Sequence, residues 1–143
     1  MEKISLMEAY MIETLRNKGV SDEQILTQVE DGDVSSWKEL HERFDFTHLV
    51  KLAEQDQEAF RSVILDGYEV KFVTIKGVQN LLRMKFNILE EDYVVEEQGI
   101  KNLKISEEQL SLLAQTLSKN WVITDVTQSN SSDTSKEINI LLG

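Results

Sequence analysis

An α+β fold dominated by helices is what this sequence predicts, on three observations. Apolar residues recur at helical spacing through most of residues 1–67. Proline is absent from all 143 residues, so nothing forces a break in those helices. Period-two alternation is confined to three short stretches, 69–73, 92–105 and 121–124. The length is that of one domain with enough chain to bury a core. The expected organisation is a single globular domain over 1–124, helical over 1–67 and mixed α/β over 68–124, with a β component that can be arranged as a winged helix.

Taken in order, residues 4–18 read as a first helix with Ile4, Met7, Met11 and Leu15 in one stripe, stopped at Asn17-Lys18-Gly19. A methionine stripe is ordinarily core, but thioethers also suit an adaptable surface, so a homodimer is expected to use this helix if one forms. Ser21 and Gln24 make a capping box for a helix carrying Ile25, Leu26 and Val29. Asp31-Gly32-Asp33 then reads as a helix-ending loop, since the closing glutamate of a calcium loop is missing. A second capping box, Ser36 to Glu39, predicts a helix over 36–44 burying Trp37, Leu40 and Phe44. Phe46 and Thr47 restart a helix with Leu49 and Leu52 inward, and Asp56 caps the next, with Phe60 and Ile64 inward and Gly67 at its end.

The stretch from Gly67 to Asn87 carries the clearest change of period. Val70 and Phe72 alternate as a half-buried strand, Thr74 fits a helix N-cap, and Val78, Leu81, Leu82 and Phe86 continue at helical spacing. Tyr93 to Val95 and Ile100 to Ile105 read as a hairpin turning near Gln98-Gly99. Ser106 and Gln109 cap a helix with Leu110, Leu113 and Leu117 inward, and Trp121 to Ile123 reads as a last strand. Residues 125–143 read as a polar flexible tail with an apolar end, Ile138 to Leu142, which can dock back on the domain, fill a partner's groove or lie inert. Trp37 and Trp121 are expected to be the costliest core residues to truncate.

Composition narrows function by exclusion. With no cysteine, neither a disulfide framework nor a thiolate metal site can form. His41 and His48 have no carboxylate at established metal-ligand spacing with both, so no metal is expected. Phosphate-binding glycine loops and the zinc-protease and serine-hydrolase motifs are absent, so neither a cofactor nor catalysis is expected. No apolar run is long enough to span a membrane and the N-terminus lacks a signal-peptide pattern, which makes the cytoplasm the expected compartment.

Two binding roles remain. Net charge is −11, and carboxylates concentrate in Asp22, Glu23, Glu30, Asp31 and Asp33, and again in Glu90, Glu91, Asp92, Glu96 and Glu97. Such clusters steer a protein toward a basic protein partner, although acidic runs also serve simply as solvated, solubilising surface. A small regulatory protein, adaptor or inhibitor is the favoured expectation. The alternative is a winged-helix DNA-binding regulator built from a helix over 57–66, a strand over 69–73, a recognition helix over 75–87 and a wing over 92–105. Lys71, Lys76, Gln79, Asn80, Arg83 and Lys85 would then face the duplex, cations toward phosphate or guanine and amides toward adenine. The same residues also fit an ordinary solvated helix face. Against the DNA reading stands the acidic wing, because each carboxylate near phosphate opposes the counterion release that drives non-specific binding.

Overall fold

The computed structural model describes residues 1–41, 43–125 and 135–142. Among them are six α-helices and a four-stranded antiparallel sheet in the C-terminal half, so the fold is α+β and mostly helical. The chain divides into two compact units, Met1–Glu69 and Val70–Gly143.

In the first unit, β1 (Lys3–Ile4) leads into α1 (Leu6–Asn17). Ser5 Oγ accepts from the Glu8 amide at 3.1 Å while Glu8 Oε1 accepts from the Ser5 amide at 2.8 Å, a reciprocal cap that starts the helix two residues after position 4. Met11, Ile12 and Leu15 are buried, but Met7 is 51% exposed. It sits in the first turn, beyond the buried stripe, and is not the core residue its spacing suggests. The predicted cap at Ser21 holds: α2 (Asp22–Asp31) starts there, and Gly32 ends it in the left-handed region at φ 74°.

The predicted helix over 36–44 does not form. A 3₁₀ turn, Ser35–Glu39, takes its place with no side-chain cap. The hydroxyl that would have capped it is used elsewhere, since Ser36 Oγ accepts from Gln28 Nε2 at 2.9 Å. Trp37 is still buried, edge-on to Phe46 at 5.9 Å, whereas Leu40 and Phe44 are only half-buried. The next helices, α3 (Thr47–Gln55) and α4 (Gln57–Leu65), meet at Asp56, whose Oδ1 accepts from the Ala59 amide at 3.1 Å; α2, α3 and α4 pack on one another. Leu52 is half-buried.

A buried polar network joins three elements of this unit. Glu13 on α1, 3% exposed, receives the Tyr68 hydroxyl at 2.6 Å and Arg16 at 3.0 Å. The same guanidinium donates to Asp22 at 3.0 Å and to the Ile64 carbonyl at 3.0 Å. Burial, then the Glu13 carboxylate, hold the Tyr68 phenol well above the ordinary tyrosine range. Burial alone would lower the Arg16 pKa, but Glu13 and Asp22 outweigh it and the net shift is upward.

β2 (Glu69–Val70) is shorter than the 69–73 stretch. The alternation stops after Val70, so Val73 is buried in place of Phe72, which is 63% exposed. In the second unit Thr74 caps α5 (Ile75–Phe86) as its hydroxyl predicts, accepting from the Gly77 amide at 3.0 Å. A hairpin of β3 (Val94–Glu96) and β4 (Gly99–Ser106) follows, then α6 (Glu107–Thr116), capped by Ser106 and Gln109, with Leu113 and Leu117 buried and Leu110 half-buried.

The last strands correct the expected tail. β5 (Trp121–Asp125) and β6 (Ser135–Leu142) belong to one sheet of order β3-β4-β6-β5. The end of the chain is thus an interior strand, hydrogen-bonded on both edges, with Ile138 and Ile140 fully buried. Its alternation of isoleucine with Glu137 and Asn139 is the period-two signal of a half-buried strand, which outweighs the polar stretch before it. Residues 126–134 and 143, the rest of the expected tail, lie outside the described residues. Because β6 takes the second edge of β4, the hairpin is not a free two-stranded wing. The close β4–β6 approach also requires Gly99: a Cβ there would lie 2.0 Å from the Ile140 carbonyl oxygen.

Candidate protein-interaction site

The first acidic cluster is contiguous in sequence but not in space. Asp22 and Glu23 stand in the first turn of α2, and Glu30 and Asp31 in the last, about 13 Å along the axis at 1.5 Å per residue. Three of its five carboxylates have local partners. Asp22 pairs with Arg16 at 3.0 Å and Glu30 with Arg61 at 2.6 Å. Asp33 Oδ1 accepts from the Ser35 hydroxyl at 2.6 Å and from its amide, which lowers the Asp33 pKa. Only Glu23 and Asp31 have no such partner among the described residues.

The second cluster stays together. Glu90, Glu91 and Asp92 form a 3₁₀ turn that leads into β3, and Glu96 and Glu97 follow at its far end. Asp92 Oδ2 accepts from the Leu89 amide at 3.0 Å, and Glu96 pairs with Lys101 at 3.1 Å. Glu90, Glu91 and Glu97 are exposed and make no ion pair among the described residues. Between these acids stand apolar residues that sequence reasoning did not count as part of the site: Leu89 at 41%, Val94 at 45% and Val95 at 40% exposure. Their visible signal is that strand-forming valines are embedded in a run of carboxylates.

The candidate DNA-facing residues are partly engaged. The side chain of Gln79 hydrogen-bonds the hydroxyl of buried Tyr93, at the start of the acidic hairpin. Burial raises the Tyr93 pKa, and Glu90 and Asp92 add to that rise. Asn80 and Lys85 are half-buried, and each makes a further interaction. Lys71, Lys76 and Arg83 are exposed and have no ion pair among the described residues. The acidic turn is thus tied to the middle of α5, close to the cations that a duplex would need.

No protein-family model, curated protein or solved structure matches this chain.

Metal-ligating side chains do not cluster among the described residues. No group of three or more His, Asp or Glu among them could hold a metal ion. The best-formed cavity, about 550 Å³, lies in the first unit between the end of α2 and the start of α3. Lys38 and Arg43 line it together with Asp33 and Asp45, so both signs of charge face it. No helix among the described residues is long and apolar enough to cross a membrane.

Proposed function

We propose that this chain is a small acidic cytoplasmic regulatory protein, an adaptor or inhibitor, that acts by binding a basic protein. The observation that supports this reading is the surface of residues 89–97. There Leu89, Val94 and Val95 are exposed beside Glu90, Glu91 and Glu97. Apolar contact area ringed by charge is the anatomy of a specific interface, and the acids supply steering toward a cationic partner. A nucleic-acid-binding protein is the partner class with the most suitable surface, and occupying that surface would inhibit it.

Affinity capture from a lysate of the source organism, at about 0.15 M salt where the Debye length is roughly 8 Å, tests the proposal. The wild-type chain is expected to retain a basic protein, and a Glu90→Gln, Glu91→Gln, Glu97→Gln variant to lose it. Equal retention by both would reject the acidic surface.

One observation favours the DNA-binding alternative: Lys71, Lys76 and Arg83 remain exposed on or beside α5. That reading requires duplex binding that survives the same salt and weakens with Arg83→Ala.

A further inference from the structure

The second unit has two edge strands, and they differ in character. Beyond β5, whose exposed apolar residue is Val122, nothing about charge selects an occupant. β3 is different. All three of its residues are exposed, and no strand lies on its far side among the described residues. We infer that β3 accepts an extended segment of the partner as a fifth strand of the sheet, and that this segment alternates basic with β-branched residues. The inference rests on the protein-binding role proposed above and specifies its mode.

The alternation follows from the register. Val95 pairs with Ile100, and Ile100 with Ile140; both isoleucines are buried, so Val95 belongs to the core face of the sheet. An apolar partner residue opposite Val95 would extend that face. Val94 and Glu96 point to the opposite face, where Glu96 already holds Lys101 at 3.1 Å. Cationic side chains on either side of the apolar residue would meet Glu96 on that face and approach Glu90, Glu91 and Glu97 at the strand's ends. Main-chain hydrogen bonds would then supply affinity, and the alternating side chains specificity.

Charge also decides against a second copy as the occupant. Pairing β3 with itself would bring Glu90, Glu91, Asp92, Glu96 and Glu97 of both chains along one line, and like charges across a strand pair are destabilising. A cationic strand converts the same repulsion into attraction.

The probe is a synthetic alternating lysine–valine hexapeptide, compared with the same peptide N-methylated at every residue. The second keeps the charge but cannot donate main-chain hydrogen bonds. The unmethylated peptide is expected to bind the full chain about tenfold tighter or more, as two or three net hydrogen bonds would give. It should also slow amide exchange within Val94–Glu96. Equal binding of the two peptides would overturn strand addition while leaving the acidic surface as a docking site. Protection that falls on β5 instead would overturn the assignment to β3. If neither peptide binds, both the mode and the acidic surface fail.

Discussion

Replacing Trp121 by alanine is expected to cost about 3–5 kcal/mol of folding stability. Two losses combine. The buried indole, 7% exposed, leaves a cavity where β5 begins. Its Nε1 also donates to the Val73 carbonyl at 2.8 Å, and Val73 is itself fully buried with its amide donating to Ser118 Oγ at 3.1 Å. Without the indole, the remaining donor to that carbonyl is Asn120 Nδ2 at 3.4 Å, a weak contact. Trp121→Phe keeps much of the ring volume and loses the donor, so it should cost less than alanine. Guanidinium unfolding followed by far-ultraviolet circular dichroism measures both; the midpoint should fall with little change in slope. A cost below about 1 kcal/mol for alanine would mean that the indole is not packed as described.

The second large effect is expected at Arg16. Its guanidinium holds Glu13 on its own helix, Asp22 at the start of α2 and the Ile64 carbonyl at the end of α4. Arg16→Met removes the guanidinium that pairs with the buried Glu13 carboxylate, and breaking a buried pair in this way costs about 3–5 kcal/mol. The Tyr68 hydroxyl still donates to Glu13, and Arg16 is partly solvated, so the lower end of that range is expected. Adding Glu13→Gln should recover part of the loss, because a neutral amide is cheaper to bury than a carboxylate that has lost its cation. Chemical denaturation of the two single variants and the double variant gives the coupling directly. Additive costs would show that the charges do not act as a pair.

Helix starts were largely legible in the sequence where a hydroxyl sits three residues before an amide or acid with no competing partner. Ser21 with Gln24 and Ser106 with Gln109 behave this way, and Thr74 caps α5 with its hydroxyl alone, ahead of Gly77. Ser5 and Glu8 carry the same pattern and start α1 two residues later than the apolar stripe predicts. Ser36 fits the pattern and fails, because Gln28, eight residues earlier in the chain, takes its hydroxyl; no local reading shows that competition. Strand positions were harder. The inward placement assigned to Phe72 depended on the strand continuing past Val70, and it does not. The C-terminal strand was hidden by its setting: the alternation of Ile138 and Ile140 was present, but a polar stretch separates it from β5, and its other partner, β4, lies beyond α6.

The candidate site divides on the same principle. Glu90 to Glu97 stay near one another in the fold, because a short turn and a short strand keep near neighbours together. Asp22 to Asp33 are spread along a ten-residue helix, and Arg16 and Arg61 take up two of the charges. The exposure of Val94 and Val95 depends on β3 being an edge, which only the strand order reveals.

Carboxyl footprinting of the chain with and without its captured partner addresses the protein-binding surface most directly. A water-soluble carbodiimide labels accessible carboxylates, and Glu23, Asp31, Glu90, Glu91 and Glu97 are the informative ones, since none has an ion-pair partner among the described residues. Binding is predicted to protect Glu90, Glu91 and Glu97 while Glu23 and Asp31 keep their reactivity. Protection of Glu23 and Asp31 with the 90–97 carboxylates still labelled would contradict the proposed interface.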